Sequence, residues 1–186
     1  MNKEIAIKNI LDFTSCLNNK YFLVYGTALG TLRDGDIISH DLDIDIGIME
    51  KDFNWDMVNE IFKKGFSLVR IFGMKSCGLE MTFKKDDIRI DLMFFYKDFN
   101  VIWNSLWLSD GINGLKDMLI HSYSPEVFKV EEKILRGFKL NSLGEDYIKR
   151  VYGDNWRTPV KEWNWQSSHF CIDNELKLDL IKKYGE

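Results

Sequence analysis

The sequence is poor in the residues that mark disulfide-bonded or zinc-binding proteins. Its 186 residues include three cysteines, three histidines and two prolines. Cys16, Cys77 and Cys171 are widely spaced and match neither a zinc motif nor a disulfide framework, so reduced thiols are the expected state. With Pro125 and Pro159 as the only prolines, no proline-rich linker divides the chain.

Long apolar runs are also missing. No run approaches the roughly 18 apolar residues that mark a transmembrane helix. The first residues, 1–13, form an amphipathic pattern that differs from a signal peptide. The sequence therefore predicts a cytoplasmic protein without a transmembrane segment.

An excess of positive charge is absent as well. The net charge is −4, which argues against a nucleic-acid-binding surface but leaves binding of a single nucleotide open. Hydrophobic residues make up 45% of the chain and aromatic residues 14%, enough for a substantial core. We predict one domain over 1–186, with a core of about 1–110 and a C-terminal part of about 111–186.

The main feature that is present is a run of alternating aspartates. Asp41, Asp43 and Asp45 alternate with aliphatic residues in segment 40–48, which predicts a strand with carboxylates on one face. An exposed strand with a polar outer face gives the same pattern, although aspartate is depleted in strands. Carboxylates crowded in a half-buried site need a cation, a raised pKa or full solvation, and Mg²⁺ is a natural partner.

A glycine turn precedes this strand. An apolar run over 21–25 ends in Gly26 and Thr27, followed by a short apolar helix. We expect Gly26 to permit close backbone approach and Thr27 to cap the helix with its hydroxyl. Backbone N–H groups at such a helix start bind anions, and Arg33, about two turns later, is placed to reach a phosphate or a carboxylate.

A second acidic strand follows downstream. Asp91 lies within the apolar run 88–96, where an unpaired carboxylate is costly. Either Arg89 or another residue neutralises Asp91, or Asp91 is a further ligand for the cation held by the aspartate strand. We favour the second interpretation. His40, the histidine near this site, is either a polar loop residue or a catalytic one.

The remaining pattern predicts strands mixed with helices, an α/β (α+β) fold with helices flanking a mixed sheet and a small C-terminal extension. Helices are expected over 3–18, 27–33, 55–64, 145–151 and 174–184. Strands are expected over 21–25, 42–48, 66–72, 78–84, 88–96 and 99–107, with a hairpin-like segment over 126–140 around Gly137.

Two blocks of sequence resemble the LicD/fukutin family of the nucleotidyltransferase-fold superfamily. The first, YGTALGTLRDGDIISHDLDIDIGIM, is similar to the family pattern GTLLGAxRxGxxIPWDxDxDIGI. The second, over 147–159, is similar to the family's YGDxWxTP signature. Ser39 and His40 replace the family's Pro-Trp pair, so we expect the pocket wall to differ from that of the family at this point. The chain is also short for the family, so we expect accessory and membrane segments to be missing.

The resemblance implies a phosphotransferase. Members move a phospho-substituent, such as phosphocholine or a polyol phosphate, from a CDP-activated donor to a glycan hydroxyl during polysaccharide modification. It also implies that Asp43, Asp45 and Asp91 are catalytic and hold one or two Mg²⁺ (or Mn²⁺) ions.

The expected substrate-binding residues lie in both family-like blocks. They are Gly26, Thr27, Arg33, Asp41, Trp156 and Arg157. Two alternatives remain open. One is a nucleotidyltransferase that adds NMP from an NTP to a small molecule or a protein, and the other is a non-catalytic binding module.

Overall fold

The computed structural model describes residues 1–98, 100–108, 113–160, 163–164, 166 and 171–185. Within these ranges the chain forms a mixed nine-stranded sheet flanked by five helices. The predicted α/β fold is therefore confirmed. No helix in the described ranges is both long and apolar enough to cross a membrane.

The elements follow one another along the chain with short connections. The helices are α1 (Lys3–Ser15), α2 (Tyr25–Asp34), α3 (Trp55–Lys63), α4 (Glu145–Tyr152) and α5 (Asn174–Tyr184). The strands are β1 (Tyr21–Leu23), β2 (Asp43–Met49), β3 (Ser67–Met74), β4 (Cys77–Lys85), β5 (Ile88–Asp98), β6 (Val101–Trp107), β7 (Met118–Tyr123), β8 (Val130–Leu135) and β9 (Phe138–Leu143).

The sheet runs in the order β3-β4-β5-β2-β1-β9-β8, and β6 joins β5 to β7. The pairs β2–β5 and β1–β9 are parallel, whereas the other pairs are antiparallel. The long strand β5 thus lies centrally, between β2 on one side and β4 followed by β6 on the other. This arrangement places the aspartate strand β2 directly beside β5.

The two faces of the sheet have different chemistry. Phe13 of α1 packs edge-on against Phe83 of β4, with ring centroids 5.3 Å apart, so α1 covers the face that carries the aliphatic side chains of β2. Ile44 on this face is fully buried. On the opposite face Phe22 of β1 contacts Phe95 and Phe128. Because strand side chains alternate, the aspartates of β2 share this second face.

Most element predictions are confirmed within a few residues, and the hairpin turns at Arg136 and Gly137 with positive φ angles. Strand β7 was missed because the polar His121 and Ser122 interrupt its apolar pattern. The predicted strand 99–107 starts at Phe99, which lies outside the described residues. The first strand ends at Leu23, and α2 begins two residues earlier than predicted.

Candidate functional site

The candidate site is built on the parallel pair β2–β5. In this register Asp45 lies opposite Asp91, and Asp43 lies opposite Arg89. Asp45 and Asp91 are almost completely buried, whereas Asp43 is half-buried. The structure therefore brings the three aspartates predicted as metal ligands together on one face of two neighbouring strands.

Helix α2 holds Asp45 in place through its first turn. The backbone N–H of Gly26 donates to Asp45 Oδ2 (3.1 Å), and the backbone N–H of Asp45 donates to the Thr27 hydroxyl (2.8 Å). The helix begins after Val24 and has no side-chain cap. The prediction that Thr27 caps the helix is thus wrong, because its hydroxyl bonds to strand β2 instead.

Gly26 lets two carboxylates approach the backbone closely. A Cβ atom at this position would lie 2.5 Å from Asp41 Oδ2 and 3.4 Å from Asp45 Oδ2. Asp41 Oδ1 in turn accepts the backbone N–H of Leu42 (3.1 Å), which holds its carboxylate toward the helix start. The expected close backbone approach at Gly26 is therefore present, and its partners are these aspartates.

A buried hydrogen-bond network lies behind the start of α2. The Tyr25 hydroxyl lies 2.8 Å from His121 Nδ1, 3.0 Å from Asn104 Oδ1 and 3.2 Å from the Tyr123 hydroxyl. Tyr25 also has a positive φ of 42°, a conformation that a bulky residue rarely adopts. The network on β6 and β7 thus fixes the strained residue that immediately precedes Gly26.

Burial raises the pKa values of the acidic side chains, and for several of them neighbouring charges add to the increase. Burial raises the pKa of Asp45 well above its usual range, and the charges of Asp43, Asp41 and Asp91 raise it further. Burial also raises the pKa of Asp41, Asp43 and Asp91. Burial and the charge of Asp91 raise the pKa of Glu80 on β4 to about 7. A cation at this wall would relieve the repulsion.

The donor set fits a hard divalent cation, because it offers carboxylate oxygens on a wall where negative charge is costly. Asp43, Asp45 and Asp91 are the residues that could hold Mg²⁺ or Mn²⁺. In the described ranges, no three Asp, Glu, His or Cys side chains already converge around one point. Asp45 and Asp91 instead accept hydrogen bonds from Gly26 and Thr82. Each of these hydrogen bonds uses one carboxylate oxygen, Asp45 Oδ2 or Asp91 Oδ1, and a carboxylate has a second oxygen that can bind an ion.

Sequence reasoning missed three polar residues beside Asp91. The Thr82 hydroxyl donates to Asp91 Oδ1 (2.5 Å), and a guanidinium nitrogen of Arg70 lies 2.8 Å from Glu80 Oε1. The signal was present in β4, where Glu80 and Thr82 alternate with buried apolar residues. Arg70 had no comparable signal, because its position depends on the pairing of β3 with β4.

Arg70, Glu80 and the aspartates Asp43, Asp45 and Asp91 line a cavity of about 710 Å³. Among the described residues, one side of its wall carries five acidic side chains, three arginines and a histidine, and the other side is apolar and aromatic. The charged and histidine lining residues are Asp41, Asp43, Asp45, Glu80, Asp91, Arg33, Arg70, Arg89 and His40. The apolar and aromatic side includes Leu29, Ile38, Met93, Leu106, Trp107, Tyr152, Trp156, Val160 and Trp163.

The predicted substrate-binding residues differ in their relation to this cavity. Gly26, Asp41, Arg33 and Trp156 line it. The Arg33 guanidinium also bonds Asp34 (2.8 Å). Trp156 is 5% exposed, and its indole N–H has no partner among the described residues.

Thr27 and Arg157 are not among the described residues that line the cavity. The Arg157 guanidinium lies over the Trp156 ring, 4.2 Å from its centroid, and bonds the Glu145 carboxylate. Arg157 therefore lies behind the cavity wall and contacts it through Trp156, whereas Thr27 acts on the backbone of β2.

Residues 18–114 match the family model described as LicD/FKTN/FKRP, nucleotidyltransferase domain. This range is more than half of the chain and contains the glycine turn, Asp43, Asp45 and Asp91. The chain belongs to the LicD/FKTN/FKRP family. The resemblance found in the sequence is thus confirmed, and the family's nucleotidyltransferase domain coincides with strands β1–β6 of the described fold.

Curated relatives extend the similarity over most of the chain. The chain is 30% identical over 170 residues to human ribitol-5-phosphate transferase FKTN, covering 88% of the chain and 36% of that protein. The mouse protein of the same name is 29% identical over 168 residues, covering 89% and 34%. An uncharacterized Caenorhabditis elegans protein is 29% identical over 177 residues, covering 89% and 46%. The chain spans about a third of the length of the FKTN proteins.

Proposed function

We propose that the chain is a magnesium-dependent phosphotransferase that moves a phospho-substituent from a CDP-activated donor to a glycan hydroxyl. The observation that carries this proposal is the pairing of Asp45 with Asp91 beside the Gly26 turn, in a cavity of a LicD/FKTN/FKRP family domain. Ribitol phosphate is the first substituent to test, because the FKTN relatives are named ribitol-5-phosphate transferases. Phosphocholine and other polyol phosphates are the further candidates.

Each part of the cavity has a role in the proposed reaction. Asp43, Asp45 and Asp91 would hold Mg²⁺, with Asp41 as a secondary ligand or an outer partner. Stabilisation of the charge on phosphate oxygens is the chemistry that bound Mg²⁺ supplies. In this structure the backbone N–H of Gly26 donates to Asp45. Contact of this N–H with the donor phosphates therefore stays a prediction.

The acceptor hydroxyl must lose a proton during transfer. Either a second metal ion or the Asp91 carboxylate would activate this hydroxyl. The Thr82 hydroxyl bonds one oxygen of Asp91 and thereby orients the carboxylate. Trp156, on the aromatic side of the cavity, is proposed to contact the nucleobase or a sugar of the substrates.

A second candidate is transfer of NMP from an NTP, favoured by the family model's description as a nucleotidyltransferase domain. The two reactions share the acidic site and differ in the group that is released. Transfer of a phospho-substituent from a CDP donor releases CMP, whereas transfer from an NTP releases pyrophosphate. The leaving group therefore distinguishes them.

The test is an assay for magnesium-dependent CMP release from CDP-ribitol, CDP-glycerol or CDP-choline in the presence of a glycan acceptor. We expect turnover with at least one donor, loss of turnover with EDTA, and recovery with Mg²⁺ or Mn²⁺. Absence of CMP release from every donor, together with pyrophosphate release from an NTP, would assign the second activity. We further propose a cytoplasmic location, where nucleotide-activated donors are available.

A further inference from the structure

The cationic side chain of Arg70 lies beside the carboxylates and has no role in the reaction proposed above. Arg70 projects from edge strand β3 across β4, and its guanidinium nitrogen lies 2.8 Å from Glu80 Oε1 and 3.7 Å from Asp91 Oδ1. Its Cζ atom lies 5.0 Å from the centroid of the Phe72 ring. Arg70 therefore lies on the cavity wall next to a proposed metal ligand.

The two acidic partners hold Arg70 with different strength. The contact with Glu80 has hydrogen-bond length, and the Glu80 side chain is only 6% exposed. The contact with Asp91 is longer than a hydrogen bond, and the same Asp91 oxygen accepts the Thr82 hydroxyl. Arg70 can therefore move away from Asp91 while it remains bound to Glu80.

Arg70 also has donors to spare. A guanidinium carries five N–H donors in a planar fork that suits phosphate oxygens. The side chain of Arg70 is 42% exposed and lines the cavity. The nitrogen atoms not used by Glu80 are thus available to an anion in the cavity.

We propose that Arg70 is the counter-cation of Asp91 in the metal-free site and that a divalent cation displaces it toward the donor diphosphate. Glu80 keeps the guanidinium in the cavity during this exchange. The inference rests on the proposed function, because it requires Asp91 to become a metal ligand. It implies that metal binding prepares the cavity for the donor.

This role predicts opposite changes in two affinities when Arg70 is replaced by Gln. Mn²⁺ should bind roughly two- to tenfold more tightly, because a half-exposed ion pair no longer competes for Asp91. CDP should bind more weakly in the presence of saturating Mg²⁺, because one phosphate contact is lost. If Arg70 had a purely structural role, its replacement would weaken the binding of both Mn²⁺ and CDP. If Arg70 only contacted phosphate, its replacement would leave the Mn²⁺ affinity unchanged.

The experiment measures Mn²⁺ binding by electron paramagnetic resonance without nucleotide, and CDP binding by calorimetry with Mg²⁺. The variants are Arg70→Gln, Arg70→Lys and the control Arg89→Gln. Arg89 lines the same cavity, and no ion pair among the described residues joins it to an acidic side chain. Arg70→Lys keeps the charge but loses the fork.

The proposal is supported if Arg70→Gln binds Mn²⁺ more tightly and CDP more weakly than the wild-type protein. It further requires a smaller gain in Mn²⁺ affinity for Arg89→Gln and near wild-type Mn²⁺ affinity for Arg70→Lys. Unchanged or weaker Mn²⁺ binding by Arg70→Gln would overturn it while leaving the metal site intact. Equal Mn²⁺ affinities of the Lys and Gln variants would also overturn it. If the wild-type protein binds no Mn²⁺, the metal site of the proposed function fails, and this inference fails with it.

Discussion

At the scale of single residues, the cavity brings together carboxylates that repel one another and a glycine that lets them approach. Asp45 is almost completely buried. It bonds the start of α2 and faces the charges of Asp43 and Asp91. Such an arrangement lowers stability unless a cation is bound, and proteins commonly accept this cost at functional sites.

The Asp45→Asn replacement should raise the stability of the metal-free protein and lower its activity. The amide can still accept the Gly26 N–H, while the removed charge relieves repulsion, so the free energy of unfolding without metal should rise by roughly 0.5–2 kcal/mol. Turnover should fall by more than about 100-fold, because losing even an outer partner of a metal ligand can cost that much. Urea denaturation and the CMP-release assay measure the two effects.

The matched control is Asp87→Asn, at an exposed turn where the carboxylate pairs with Lys84. This variant should change neither quantity appreciably. Equal turnover by the Asp45→Asn and wild-type proteins would exclude Asp45 from the site.

Gly26→Ala should act through Asp41. The added methyl group would meet Asp41 Oδ2 at 2.5 Å, so the single variant should lose about 1–3 kcal/mol of unfolding free energy, as overpacked sites do. Asp41→Ala removes the obstructing carboxylate and should suppress most of that loss in the double variant. Thermal denaturation of the four proteins measures the coupling, and strictly additive effects would show that Asp41 does not restrict position 26.

At the scale of elements, the start of α2 depends on strands that lie far from it in sequence. The hydroxyl of Tyr25 bonds groups on β6 and β7, and the next residue, Gly26, bonds Asp45 on β2. The position of the helix relative to the aspartate strand is therefore set by three parts of the sheet together.

Tyr25→Phe tests this dependence. Removal of the hydroxyl leaves buried partners at Asn104 and His121 without one of their hydrogen bonds, and we expect a loss of about 1–3 kcal/mol in the free energy of unfolding. Tyr184→Phe, on the partly exposed C-terminal helix α5, is the control and should be near neutral. Identical stability of the Tyr25→Phe and wild-type proteins would show that the network does not hold α2.

Local patterns in the sequence were sufficient to predict most elements and the acidic face. The alternation of aspartate and aliphatic residues predicted strand β2 and its two faces, and the apolar run around Asp91 predicted strand β5. The pairing of these strands placed Asp45 opposite Asp91. The sequence indicated that Asp91 shares a cation with the aspartate strand, because an unpaired carboxylate in an apolar run is costly, but nothing local to either segment specifies its partner strand.

Contacts between distant strands could not be predicted in the same way. Arg70 reaches Asp91 across β4, and His121 reaches Tyr25 across the sheet. Neither residue lies in a distinctive local pattern, and both acquire their environment only when the sheet forms. Thr27 was misassigned for a similar reason, because its hydroxyl bonds a strand eighteen residues away along the chain.

At the scale of the whole molecule, the raised carboxyl pKa values make stability depend on pH and on metal. The pKa of Glu80 rises from 4.5 to about 7 on folding, so the folded protein holds a proton that the unfolded chain has released. Without metal, the free energy of unfolding should therefore fall as pH rises from about 4.5 to 7. Urea denaturation across this range, in EDTA, measures the slope.

Mg²⁺ should stabilise the protein more above this range than below it, because deprotonated carboxylates bind the ion better. Glu80→Gln should flatten the slope. The lowered pKa of Asp36, about 2, changes stability only at more acidic pH and does not interfere. A stability that rises with pH over the same range would contradict the assignment of raised pKa values to this wall.

The most direct test of the account is anomalous diffraction from crystals of the protein soaked with Mn²⁺ and CDP. The account predicts a Mn²⁺ peak within coordination distance of Asp43, Asp45 and Asp91, with the CDP phosphates in the same cavity. A Mn²⁺ peak elsewhere, or none near these aspartates while CDP occupies the cavity, would contradict it.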